Sequence, residues 1–391
     1  MFQPSIPRAA AIALAGAGLL ALRAAPAQAQ EFNVTNLVSD GSVPAETIDP
    51  NLINPWGIAT SSSSPFWVSD NNAGVSTLYN TAGAKVPLTV TIPAAPGEGG
   101  LGAPDGVVFN GTGGFNVSAG GKTGSPFFVF ATEDGTIEGW APSVNSTTGI
   151  IAVNNYGGGA GAVYKGLAIG STGGSNFLYA ANFRAGDVEM YDTNYSLVDT
   201  FTDPTVKPGY APFNVQNLGG TLYVTFALQD AAKHDDVAGP GNGYVDAFSL
   251  NGTFERRIVS QGGPINSPWG LDIAPTSFGS LAGDLLVGNF GDGTISVFNP
   301  LTGVFDGKLL GSNGQPIVEG DLWGLINGNG GSGGDANTVY FTAGVADEAH
   351  GLFGAITAVP EPTTWAMMIV GLGLMGATLR GRRNVAAYTA A

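Results

Sequence analysis

The chain contains no cysteine in 391 residues. Disulfide staples, thiolate metal centres and cysteine nucleophiles are therefore excluded. Histidine is nearly absent too, with two copies, His234 and His350. A zinc centre built mainly on imidazoles is thus a poor match. Charge is sparse and lopsided: charged residues make up 11% of the chain, as 14 Lys and Arg against 30 Asp and Glu. Between Gln30 and Ala358 there are nine basic and 29 acidic residues, a formal charge of −20. Nucleic acid and anionic lipid are poor partners for such a surface; cations and neutral polymers suit it better. No segment sustains a 3.6-residue apolar period. H-E-x-x-H, G-x-S-x-G and the EF-hand loop are all missing. The Asp347–His350 run spells a helicase signature without any ATP-binding context. The Ala119–Gly124 glycines lack the first glycine of a phosphate loop, whose place is taken by Asn116, and no helix pattern follows them.

Glycine is abundant, with 62 copies among frequent Val, Phe, Tyr and Thr. This composition predicts many short strands and tight turns, an all-β chain. An internal repeat organises it. Asn54–Ala59 (NPWGIA) returns as Ser267–Ala274 (SPWGLDIA) and Asp321–Ile326 (DLWGLI). Fainter copies lie at Ala103–Phe109, Tyr164–Gly170 and Ala211–Gln216. Gly57, Gly106, Gly166, Asn214, Gly270 and Gly324 mark equivalent positions, 48 to 60 residues apart. Six such units predict a six-bladed β-propeller, each blade with strands A to D running outward from the channel. The last unit lacks its fourth strand, and Phe32–Asp40 supplies it. That N-terminal strand is expected to pair with Gly351–Thr357 and close the ring, removing exposed edges.

The ends read as processing signals. Arg8, the apolar Ala9–Leu22 and the A-x-A step at Ala27 and Ala29 predict a signal peptide over residues 1–29. At the other end, Val359-Pro360-Glu361-Pro362 precedes Trp365–Leu379, 15 apolar or small residues, and then Arg380, Arg382 and Arg383. This order resembles the PEP-CTERM sorting signal. The resemblance implies export in a Gram-negative bacterium, a C-terminal transmembrane helix with its arginines on the cytoplasmic side, and processing by an exosortase-type transpeptidase. The expected division is residues 1–29, a propeller over 30–358, a sorting signal over 359–383 and a short tail over 384–391. The order of LVSD, DPNLINPWG, FWVSDN and DEAHGLFG resembles an uncharacterised propeller family among such proteins. A looser likeness is to NHL-type and gluconolactonase-like propellers.

In a propeller, the D–A connections and B–C hairpins share one face, where a site is expected. Candidate ligand-binding residues there are Trp56, Asp70, Asn71, Asp105, Glu133, Asp134, Asn182, His234, Asp235, Asp236, Trp269, Asn289, Asp347, Glu348 and His350. Lys165, Phe213 and Trp323 fall on the same side. Exposed tryptophans would stack on sugar rings while carboxylates and amides bond hydroxyls. The expected partner is an extracellular polysaccharide or an envelope protein. The alternative is a metal-dependent hydrolase or lactonase at the channel mouth, with calcium as the candidate ion for these oxygen-rich groups. Each feature also has a plainer explanation: Trp-Gly as blade packing, Asp and Asn before Gly as turn formers, His234 as a solvated loop tip.

Overall fold

The computed structural model describes residues 30–360. The expected signal peptide and most of the expected sorting signal, including its apolar run, lie outside the described residues. Six sheets surround a channel, and in five of them the order of pairing is the order of the chain. Blade one is Pro55–Ala59, Phe66–Asp70, Val75–Tyr79 and Lys85–Thr91. Blade two begins at Pro104–Phe109, three at Tyr164–Thr172, four at Tyr210–Leu218, five at Pro268–Ile273 and six at Leu322–Asn327. All six repeat marks, Gly57 to Gly324, fall on these innermost strands.

Burial explains the sequence pattern. An inner strand is covered on both faces by neighbouring blades, so Phe66–Asp70 and Leu285–Asn289 are buried at every residue. Such runs are continuously apolar or small rather than alternating. Outer strands such as Leu197–Phe201 face water and carry Asp and Thr. The glycine repeat has a steric cause. A Cβ at Gly57 would lie 2.2 Å from the Asp105 carbonyl oxygen, and one at Gly324 2.8 Å from that of Trp56. The innermost strands touch backbone to backbone there, leaving no room for a side chain. Blade four carries Asn214 instead, and its amide donates to the Trp269 carbonyl at 2.8 Å, joining it to blade five.

Glu31–Ser39 closes the ring as the fourth strand of blade six. It runs antiparallel to Leu352–Ala358, in register from Phe32 with Ala358 to Ser39 with Leu352, with a bulge at Leu37. Phe32, at 1% exposure, packs on Phe278 of blade five with ring centroids 4.5 Å apart. The start of the closing strand therefore locks blade six onto its neighbour.

Three additions escape the repeat, one of them Leu310–Gly311, which pairs parallel with the start of the closing strand. Thr47–Ile48 pairs outside the closing strand. Val117–Ala119 and Lys122–Gly124 form an extra hairpin in blade two, turning at Gly120 and Gly121 with φ of 57° and 75°. The apparent phosphate-loop glycines are that turn. No helix among the described residues is long and apolar enough to cross a membrane.

Candidate functional site at the channel mouth

The six residues that precede the repeat marks form a ring at the channel mouth: Trp56, Asp105, Lys165, Phe213, Trp269 and Trp323. All are buried. Trp56 stacks on Trp323 at 3.5 Å between centroids, and Trp269 meets both edge-on at 6.2 and 5.7 Å. Phe183, Phe213 and Phe290 complete an aromatic plug. The Trp269 indole donates to the Lys165 carbonyl at 2.8 Å, and the Trp323 indole to Asn54 Oδ1 at 3.0 Å. This corrects the expectation of exposed tryptophans. Trp56 and Trp269 are 2% and 4% exposed and offer no ring face to a sugar. Their place at the start of an innermost strand points them at one another across the channel.

Lys165 stands at the centre of the polar half. Its ammonium bonds Glu133, reaches Asp235 Oδ1 at 3.3 Å and lies 4.9 Å from the Trp56 ring centroid. Burial alone would lower its pKa, but the charges of Glu133 and Asp235 outweigh that and raise it. The mouth thus holds a fixed positive charge surrounded by carboxylates. Asp105 is wholly buried, and its pKa is raised by loss of water and then by the Glu133 charge. Glu98 is pushed up to about 7 by burial and by neighbouring Asp134, and Glu348 to about 7 by burial and Glu133. The Asp236 carboxyl is also raised by burial. His234 Nδ1 donates to Asp235 Oδ1 at 2.9 Å, a contact that raises the imidazole and holds the carboxyl below its usual range.

The long loop of blade four, between Thr221–Leu228 and Tyr244–Ser249, carries His234, Asp235 and Asp236 across the mouth toward blades one and two. Asn71 Nδ2 donates to Glu133 Oε2 at 3.0 Å, binding the hairpins of those blades together. Between them opens a pocket of about 330 Å³ whose lining includes Asn71, Asn72, Glu98, Glu133, Asp134 and His234. Glu133, His234 and Asp235 each offer a ligand atom within 4.8 Å of the others. That set could hold a metal ion by its donors, but the Lys165 ammonium already lies against two of the three.

Not every candidate joins this group. Asp70 accepts from Thr77 within its own hairpin at 2.7 Å, Asn182 donates to Glu189 at 2.7 Å, and Asn289 donates to Thr294 and Ser296. These three serve the turns they sit in. His350 is bound at 2.6 Å to Asp40, just past the end of the closing strand and apart from His234, and Asp347 is exposed. Glu98 and Asn72 join the pocket without any signal in the sequence. Lys165 did carry one: it is the single cation where the strongest repeats place tryptophan.

The backbone is strained here. Asn54, Ser267 and Asp321, each two residues before a tryptophan of the plug, have φ of 49°, 44° and 54°. Ala346, Asp347 and Glu348 follow one another at 60°, 54° and 62°. Side chains other than glycine rarely occupy this region, and such positions gather at functional sites.

Comparisons with known proteins agree with the architecture. Residues 358–383 match the PEP-CTERM protein-sorting motif. Over 332 residues the chain is 32% identical to Uncharacterized protein R648 of Acanthamoeba polyphaga mimivirus, covering 83% of this chain and 80% of that one. It is 33% identical to Uncharacterized protein L690 of the same virus, covering 83% and 85%. Among solved structures, a protein of unknown function from Bacteroides thetaiotaomicron superposes with a TM-score of 0.52 at 11% identity, over 84% of this chain and 76% of that one. A glucose dehydrogenase superposes at 0.51 and 11% identity, over 83% and 99%. At such identity these two structures show the fold alone.

Proposed function

Since this chain belongs to one family with the mimivirus proteins R648 and L690 and carries a PEP-CTERM sorting motif, we propose that it is an exported propeller that binds a neutral, hydroxyl-rich polysaccharide at its channel mouth. Residues 1–29 are removed as a signal peptide. Residues 359–383 hold the precursor in the inner membrane until an exosortase-type transpeptidase acts near Pro360-Glu361-Pro362, and residues 384–391 stay with the tail. The propeller then resides in the cell envelope or outside it.

The observation that carries the binding role is the open pocket formed by Asn71, Asn72, Glu98, Glu133, Asp134 and His234. It is lined by hydrogen-bonding groups on three blades, with acceptors in excess. Sugar hydroxyls are donors that match acceptors. The buried tryptophans stiffen the floor instead of stacking on the ligand. Calorimetry with neutral and acidic bacterial polysaccharides tests this. Heat is expected with neutral chains, weakened about tenfold or more by Asn71→Ala or His234→Ala. Absence of heat with every polysaccharide would leave an envelope protein as the partner.

One observation favours a second reading, a metal-dependent hydrolase: the spacing of Glu133, His234 and Asp235. Lys165 weighs against it, because an ammonium on two of the three donors repels a divalent cation. Calcium or zinc titration of the parent and of Lys165→Met separates the readings. Binding only in the variant would show that Lys165 has taken the cation's place.

A further inference from the structure

The termini leave the propeller on the side opposite the mouth. Val359 N–H donates to the Glu31 carbonyl at 2.8 Å, and Gln30 Nε2 to the Val359 carbonyl at 2.8 Å. Gln30 Oε1 lies close over Gly279, and Phe32 packs on Phe278. Gly279 and Phe278 belong to Thr276–Leu281, the connection between the first and second strands of blade five. All A–B connections share that side, away from the B–C hairpins that build the site.

From Pro360 to Thr364 only five residues precede the apolar run that starts at Trp365. Extended chain spans at most about 3.5 Å per residue, so this link reaches on the order of 17 Å. A propeller on so short a tether has its A–B and C–D side close to the bilayer. That side carries a scatter of exposed apolar residues: Phe127, Leu197, Phe254, Leu301, Val304 and Phe305. Each lies in an A–B or C–D connection or beside one, and Leu301 is 76% exposed. An apolar groove of about 460 Å³ opens between blades one and two on the same side, lined by Trp67, Phe127, Phe128 and Trp140 beside Ser61–Ser64. Acids such as Asp192, Asp306 and Asp335 face that way with few cations to offset them, which disfavours anionic lipid.

We propose that this face is a docking surface for a zwitterionic lipid bilayer, so that the tethered precursor lies on the membrane with its mouth turned outward. The inference rests on the sorting reading, with Trp365–Leu379 in the bilayer. It gives the exported ligand free access to the pocket before the domain is released. Exposed aromatic and aliphatic side chains enter the interfacial region, where no basic patch is needed.

The absence of cysteine makes the test direct. Leu301→Cys and Phe127→Cys on one side, and Ala232→Cys at the tip of the blade-four loop on the other, each give the full chain a single thiol. Labelled with a fluorophore and reconstituted in phosphatidylcholine vesicles with a headgroup nitroxide quencher, Leu301→Cys and Phe127→Cys should be quenched at least twofold more than Ala232→Cys. Equal quenching, or stronger quenching at Ala232→Cys, would overturn the proposal. So would shielding of Leu301→Cys that appears only as protein concentration rises, which means a second copy covers the face, or shielding of Phe127→Cys alone that persists in detergent, which means the apolar tail fills the groove. Polysaccharide calorimetry on the same vesicles reports on the pocket separately. Loss of heat there with the quenching pattern intact would sink the binding role and leave the orientation standing.

Discussion

The mouth ring falls into two halves that occupy the same structural positions. Blades five, six and one contribute Trp269, Trp323 and Trp56; blades two, three and four contribute Asp105, Lys165 and Phe213. The aromatic half is stacked, and the residue two before each tryptophan has a left-handed backbone. The other half begins its strands without that strain and carries the buried ion pair of Lys165 with Glu133. One scaffold position therefore does two jobs. Where it is aromatic it closes the channel, and where it is polar it sets the charge of the mouth. The halves meet at Lys165, whose ammonium faces Trp56 and whose carbonyl holds Trp269.

The comparison breaks most completely if blade six loses its closing strand. Deleting Phe32–Ser39 removes the buried Phe32 and Val38 and uncovers the edge of Leu352–Ala358. Burial of two such side chains alone is worth about 1.5–3 kcal/mol each, and the lost ladder adds to it. The expected outcome is a melting temperature lower by more than ten degrees, or no cooperative transition, measured by calorimetry. A deletion variant that melts with the parent would show that the ring does not depend on closure.

Next comes a paired substitution across the two halves. Trp323→Ala opens a cavity in the plug and should cost about 3–5 kcal/mol at every pH. Lys165→Met leaves buried carboxylates without their cation and should cost about 3 kcal/mol near neutral pH. Its loss should shrink in acid. Without Lys165 the folded-state pKa of Asp105, already raised by burial and the Glu133 charge, rises further. Stability is then fully present below the unfolded carboxyl range and falls as pH rises through the raised value. Denaturant titrations at pH 4 and 8 distinguish the two. Equal pH dependence in both variants would mean the ion pair adds nothing specific to its half.

The smallest effect is expected at Glu348. Its carboxyl is raised to about 7 by burial and by Glu133. A raised carboxyl binds more protons folded than unfolded, so stability declines as pH climbs from the ordinary carboxylate range through about 7. Glu348→Gln keeps the contact from Asn54 Nδ2 and removes this decline. After allowance for solvent screening, the gain is on the order of 1 kcal/mol at pH 8 and none at pH 4. A gain at both would trace the effect to backbone relief at the left-handed Ala346–Glu348 turn instead.

Much of the fold was legible in the sequence because its cause is local and repeated. Glycine is needed at five of the six places where inner strands touch, so Gly57, Gly106, Gly166, Gly270 and Gly324, with Asn214 in blade four, announce six blades. The missing fourth strand and the spare Phe32–Asp40 announce closure. The Pro-Glu-Pro step with its arginines announces the PEP-CTERM sorting motif, since that motif is read from linear sequence. The site was half legible. Loop position placed Glu133, Asp134, His234 and Asp235 on one face, but not Glu98, whose turn has no distinguishing neighbour.

By itself, then, the sequence determined the strand periodicity, the blade number, the net charge and the exclusion of cysteine chemistry, because each depends on residue type and spacing alone. Tertiary structure decided which side chains share water and which share one another. Trp56 looks like an exposed platform in a loop until blades five and six bring Trp269 and Trp323 against it. Lys165 looks like one scarce cation until the hairpin of blade two and the long loop of blade four deliver Glu133 and Asp235 to it. Residues 32 and 70 positions from Lys165, and 213 and 267 positions from Trp56, change the charge, burial and exposure of groups that their neighbours in sequence leave untouched.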